Sequence, residues 1–112
     1  MRSPMVVTIF RSRLRPEHQK EYTEWANRMH DLAVKMPGFI SIKTFTAEDG
    51  ERVSLVEFES EETMRAWREQ SDHQEAQELG RKLFYSEYRI QVCRPIRDYC
   101  FPKKTGAAAT SV

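Results

Sequence analysis

The chain has 112 residues and a mass of 13.2 kDa, which is one domain's worth of sequence with room for a single core. Apolar residues make up 39% and charged residues 31%, a globular balance that excludes a chain disordered throughout. Net charge is +1, and once Arg2, Lys103 and Lys104 are set aside, residues 5–100 carry 15 basic and 17 acidic side chains, so nothing suits a nucleic-acid backbone.

The longest apolar run, Met5 to Phe10, is broken by Thr8 and ended by Arg11. It is too short to span a bilayer or to serve as a secretory h-region. Cys93 and Cys100 make no disulfide framework, and the expectation is a cytoplasmic protein with free thiols. Residues 1–4 and 103–112 are small and polar without period, and read as disordered tails around one domain over 5–102.

Met5 to Leu14 is strand-like, with Val6, Val7, Thr8, Ile9 and Phe10 in sequence. Arg15-Pro16-Glu17 is expected to open a helix, proline taking the first helical position. Tyr22, Trp25, Ala26, Met29, Leu32, Ala33 and Met36 then recur at steps of three and four, and Met36-Pro37-Gly38 ends the helix. Strands are expected over 39–46 and 52–59, joined through Asp49-Gly50 as a hairpin. Ser60 caps a short helix whose inner face carries Met64 and Trp67. Asp72 and Glu75 have the spacing of a capping box that restarts a helix, with Ala76, Leu79, Gly80 and Leu83 as its stripe. Residues 87–96 form a last strand, with Tyr88, Ile90 and Val92 on one face and Arg89, Gln91 and Cys93 on the other.

With the split helices counted as one connection, this order is an α+β, ferredoxin-like split βαβ plan with a four-stranded antiparallel sheet. The expected helix-facing set is Val7, Ile9, Ile40, Ile42, Val53, Leu55, Ile90 and Val92. Period two then sends Phe10, Phe39, Phe45, Val56 and Phe58 outward, beside Ser12, Ser41, Lys43, Ser54, Arg89 and Gln91. Such a face is too apolar to stay wet, and a sheet-on-sheet homodimer enclosing a partly polar cavity is expected.

Three stretches carry a family resemblance. They are Met36-Pro37-Gly38-Phe39, the run Ser54-Leu55-Val56-Glu57-Phe58-Glu59-Ser60-Glu61-Glu62, and Trp67-Arg68 followed by His73, Gln77, Gly80, Arg81, Tyr88 and Arg97-Asp98-Tyr99. Over residues 5–100 the chain resembles the antibiotic biosynthesis monooxygenase (ABM) domain family. The last set is similar to the subgroup labelled haem-degrading-monooxygenase-like or polysaccharide-biosynthesis-related. The resemblance implies a dimeric α+β barrel with a pocket between each subunit's sheet and helices. Some members oxidise polycyclic quinone precursors with O₂ and no cofactor, and others bind and open haem. The haem-ligating histidine of that second branch falls on Gln77, counted from Trp67, and its first-strand asparagine falls on Ser12. Haem is therefore disfavoured, with His73 left as a displaced ligand at most, and no cofactor is expected.

His73 is the leading titratable candidate, because an imidazole can accept a proton near neutral pH and a cofactor-free oxygenase needs a base to form an electron-rich substrate anion. Its plainer reading is a hydrogen-bonded or surface histidine at a helix start. Trp67 reads either as a core anchor or as a pocket wall with its indole N–H toward a substrate oxygen. Arg81, Tyr85, Tyr88 and Arg89 are candidates to polarise a phenolate or carbonyl, against the alternative of salt bridges and strand packing. Phe10 and Phe58 are the candidate apolar contacts of that substrate. His18 and His30 lie about 120° apart around their helix and cannot share a metal, and no spacing in the chain suits a metal site. The expected activity is cofactor-independent oxidation of a small aromatic or quinol-like molecule. The alternatives are a non-catalytic dimeric module for a hydrophobic ligand or haem, and a structural dimer with a vestigial pocket.

Overall fold

The computed structural model describes residues 5–102 except the side chains of Ser71, Asp72 and His73, so both expected tails lie outside the described residues. The elements run β1 (Val6–Leu14), α1 (Gln19–Val34), β2 (Phe39–Thr46), β3 (Arg52–Phe58), α2 (Glu61–Glu69), α3 (Ser71–Leu79), a π-helical turn (Gly80–Phe84) and β4 (Tyr85–Cys93). The sheet order is β2-β3-β1-β4 with every neighbouring pair antiparallel, which is the ferredoxin-like α+β arrangement. None of the described helices is long and apolar enough to cross a membrane.

Local chemistry accounts for most boundaries. The β2–β3 hairpin closes through Ala47 N–H to Glu51 O at 2.8 Å, and Asp49 Oδ1 accepts the Glu51 N–H at 3.0 Å. Ser60 caps α2 by accepting the Thr63 N–H at 3.1 Å, while Thr63 Oγ1 accepts the Ser60 N–H at 3.2 Å. Gly38 has φ +81°, and a Cβ there would lie 2.6 Å from Thr63 Oγ1, so only glycine lets the end of α1 pass the start of α2.

Two boundaries differ from the sequence reading. Pro16 stays outside α1, which starts at Gln19 after His18 at φ 62°. Arg15 is tied to the far end of the chain, its N–H donating to Phe84 O at 2.8 Å and its Nε to Tyr85 O at 2.9 Å, and the chain must turn away from that tether before the helix can begin. The stripe through Ala76, Leu79, Gly80 and Leu83 also breaks its α-helical spacing. Ala76 and Gly80 are buried but Leu79 is exposed, because the backbone widens into the π turn and delivers Phe84 and Tyr85 to the interior. β4 accordingly begins at Tyr85 and ends at Cys93.

The facing of β1 and β3 is the main correction. Val6, Thr8, Ser12, Val56 and Phe58 are buried beneath the helices, and Phe10 lies on the same face by period two. Val7, Ile9, Val53 and Leu55 therefore point to the open side, where the register sets Val7 beside Glu57, Ile9 beside Gln91 and Val53 beside Arg11. Ile42 faces the helices and Phe45 faces out, as expected, whereas Phe39 packs against the core and Ile40 is 46% exposed at the register irregularity between Phe39 and Ser41. β1 is apolar on both faces, so alternation alone does not choose between them. Phe58 decides it, because its ring fills the space under Trp67 and Met64.

Candidate active site

The helices stand off one end of the sheet and leave a cavity of about 330 Å³, at the small end of the usual range for small-molecule sites, about 300–1,000 Å³. Its floor is the helix face of the sheet, with Thr8, Phe10 and Ser12 from β1, Ser54 and Val56 from β3, and Ile42 and Thr44 from β2. One wall is α1, whose three-and-four spacing puts Tyr22, Trp25, Met29 and His30 over the sheet. The other wall comes from Trp67 and Arg68 of α2 and Ala76 and Gln77 of α3, and Tyr85, Tyr88 and Ile90 of β4 close the end.

Aromatic rings set the shape. Tyr85 is the hub, 5.3 Å from Phe10, 6.0 Å from Tyr22, 6.1 Å from Trp25 and 5.8 Å from Tyr88, each contact edge-to-face. Gly80 makes this possible, since a Cβ there would come within 2.9 Å of the Tyr85 ring. Burial pushes the Tyr85 phenol above its ordinary pKa, Tyr22 adds to the shift, and the positive charge of Arg52 opposes it. Tyr85 is thus a neutral hydrogen-bonding group at any physiological pH, not a base.

Three polar atoms of the cavity have no partner among the described residues. Thr8 Oγ1, Trp25 Nε1 and Arg52 Nε are each buried without a hydrogen-bond partner. The Arg52 guanidinium carbon sits 5.5 Å from the centre of the Tyr22 ring, a cation–π contact. Among the described lining residues there is no aspartate or glutamate, while Arg52 and Arg68 border the space; Lys43 also lines it, but its ammonium lies over the Phe45 ring on the open face.

The structure distributes the sequence candidates unevenly. Trp67 is 7% exposed within the core and is also part of the cavity wall. Phe10, Tyr85 and Tyr88 line the cavity. Arg81 is not among its lining residues but donates from Nη1 to the Tyr88 hydroxyl at 3.2 Å, fixing that phenol from outside. Phe58 is buried completely and stacks on Trp67, so it supports the wall from behind. Arg89 lies on the opposite sheet face across from Arg11, in a shallow depression with Glu51 and Glu87, because period two separates it from Tyr88. The backbone of His73 is in the first turn of α3, and its side chain lies outside the described residues. Ser12 and Gln77, the positions that the resemblance assigns to the haem determinants, do line the cavity, but a serine and a glutamine do not supply the ligand set of the haem-degrading branch. Among the described residues no group of histidine, cysteine and carboxylate side chains could hold a metal.

Sequence reasoning missed Thr8, Tyr22, Trp25, His30 and Arg52 as site residues. Tyr22 and Trp25 were visible as the inner stripe of a helix. Nothing in the sequence distinguishes Arg52 from a solvated strand-end arginine.

A ferredoxin-like sheet with an aromatic cavity under its helices defines the class. A family model described as antibiotic biosynthesis monooxygenase matches residues 5–79, and the chain belongs to that family. It is 31% identical over 102 residues to the uncharacterized protein YqjZ of Bacillus subtilis strain 168, spanning 91% of this chain and 89% of that one. Two solved structures share its fold at low identity. SnoaB of Streptomyces nogalater, described as a cofactor-independent oxygenase, aligns with a TM-score of 0.74 at 14% identity, covering 90% of this chain and 100% of the other. Rv0793 of Mycobacterium tuberculosis aligns with a TM-score of 0.75 at 18% identity, covering 86% and 99%.

Proposed function

We propose that the protein is a cofactor-independent monooxygenase that oxidises a small aromatic or quinol-like substrate, and that it works as a homodimer. The observation that carries this reading is the cavity of about 330 Å³ walled by Phe10, Tyr22, Trp25, Trp67, Tyr85 and Tyr88. Aromatic walls at ring-stacking distances suit a flat electron-rich ring, and membership of the family and the likeness to SnoaB support the oxygenase chemistry.

The reaction needs no electron donor beyond the substrate. A base removes the proton of a substrate hydroxyl, and the resulting anion is electron-rich at a ring carbon. That carbon gives electrons to O₂ and forms a C–O bond, yielding a peroxide. Loss of the C–H proton and cleavage of the O–O bond leave a new carbonyl, and the second oxygen departs as water. A hydroquinone plus O₂ thereby becomes a hydroxyquinone plus water. His73 is the proposed base, and His30 is the described imidazole on the cavity wall. Tyr85 and Trp25, which line the cavity, are the proposed hydrogen-bond donors to developing oxyanions.

The dimer is proposed through the open sheet face, where Val7, Ile9, Val53, Leu55 and Phe45 form an apolar centre rimmed by charged side chains. The test of the activity is oxygen consumption with a panel of hydroquinones and anthrones, coupled to product analysis under ¹⁸O₂. One labelled oxygen per product is expected. His73→Ala should lower turnover by roughly 10²–10⁴ if it is the base, with His30→Ala as the comparison. Enzyme-independent rates across the whole panel would overturn the oxygenase reading.

A further inference from the structure

Arg52 opens β3 beneath α1, where an arginine would ordinarily be neutralised by a carboxylate. It has none. Its side chain takes part in no hydrogen bond or ion pair among the described residues, and its guanidinium lies over the face of Tyr22. Its Nε–H is buried and lacks an acceptor, as does the indole N–H of Trp25 on the facing helix wall. Leaving such donors unpaired is costly, and the cost is greatest for a charged group. Thr8 Oγ1, on the strand between β3 and β4, is the third polar atom of the cavity left without a partner. No described acidic side chain lines the space to answer them.

We propose that the ligand supplies the missing acceptor: the cavity selects planar aromatic molecules bearing an anionic oxygen, and Arg52, backed by Tyr22 and assisted by Trp25, is the residue that recognises it. This inference rests on the cavity being the substrate site of the proposed oxygenase and names the substrate class. A carboxylate and an acidic phenolate or enolate share the required chemistry, because each presents an acceptor-only oxygen to a guanidinium. The stack on Tyr22 orders the guanidinium plane before ligand arrives, so little side-chain entropy remains to be lost on binding.

Isothermal titration at neutral pH with three probes built on one naphthalene ring system tests this. 2-Naphthoate presents a carboxylate, 2,4-dinitro-1-naphthol presents a phenolate, and 2-naphthamide is neutral. At least one anion should bind about 10- to 100-fold more tightly than the amide, the range expected of a charged hydrogen bond. Which anion wins identifies the source of the charge. Arg52→Met should remove most of that preference while leaving amide affinity within about 2-fold, and Arg52→Lys should keep part of it, since charge remains but the planar fork is lost. Trp25→Phe retains the ring without the donor and should weaken the anion by a smaller factor, which provides a second reading if Arg52→Met fails to fold. Equal affinity of all three probes for the wild type, no binding of either anion, or an Arg52→Met protein that keeps the preference would each overturn the proposal. The measurement needs no turnover. An inert protein that still prefers anions refutes only the oxygenase reading, and an active oxygenase indifferent to charge refutes only the role of Arg52.

Discussion

The Phe58 ring lies 5.5 Å from the Trp67 indole with the planes 28° apart, so a strand residue and a helix residue form one stacked unit. Phe58 is completely buried and Trp67 nearly so, and the far side of the indole is the cavity wall. Site and core are therefore joined through a single side chain. Trp67→Ala should cost about 3–5 kcal/mol of stability, because it removes the stack and leaves a void that Phe58 cannot fill. Urea unfolding checks it, and a loss below about 1 kcal/mol would show that the indole serves the cavity alone.

The helices were legible for a simple reason. The stripe from Tyr22 to Met36 repeats at the helical step over about four turns, and a periodic signal of that length tolerates local errors. The fold order followed from it and from the Asp49-Gly50 turn. The sheet faces were not legible, because Val6, Thr8 and Phe10 alternate with Val7 and Ile9 and either set makes an acceptable core. The choice depends on which set meets Met64 and Trp67, a contact distant in sequence. Site residues suffered from the same ambiguity. Phe10 was named but placed on the wrong face, and Arg89 was grouped with Tyr88 although one residue of strand puts them on opposite sides. Arg52 had no local signature, since its meaning lies in the carboxylate that it lacks among the described residues.

Tyr85 should make stability fall at alkaline pH. Its phenol is held neutral in the folded protein by burial first, with Tyr22 adding and Arg52 opposing. Its folded-state pKa is raised, so below about pH 10 both states keep the proton and stability is unaffected. Above that, the unfolded chain releases the proton and the folded chain does not, so the unfolded state gains, by at most about 1.4 kcal/mol per pH unit. Urea unfolding between pH 9 and 11.5 should show this slope, and Tyr85→Phe should reduce it. An identical slope in the variant would mean that Tyr85 ionises freely in the fold.

Haem should not be degraded. Gln77 and Ser12 occupy the two cavity positions that the resemblance assigns to the haem determinants, and Gln77 supplies no imidazole at the ligand position and Ser12 no carboxamide on the first strand. Incubation with haem and a reductant should leave the Soret band intact when catalase is present. Stoichiometric loss of the band with release of iron, unaffected by catalase, is the opposing result.

Leu55 should control assembly. The register places it between Lys43 and Ile9 in the middle rows of the open sheet face, with Val7 diagonal to it on β1 and Val53 two residues along its own strand on the same face. Arg11 and Glu51 form a paired hydrogen bond at 2.8 and 3.0 Å beside this patch, giving the apolar centre a charged border of both signs. A two-fold axis through the patch brings each Leu55 close to its own copy, so one substitution acts twice. Leu55→Glu would set two carboxylates close together in a desolvated centre, and although Lys43 lies across from each, burying both charged pairs costs more than the apolar contact they replace, so the dimer should dissociate at micromolar concentration. The wild type should bury an interface of ordinary size, about 1,600 Å² or more in total. Light scattering of both proteins decides the matter. Because Leu55 points away from the helices, the variant should remain folded by circular dichroism. A wild type that is monomeric at micromolar concentration, or a Leu55→Glu protein that is still dimeric, would place the contact on another surface.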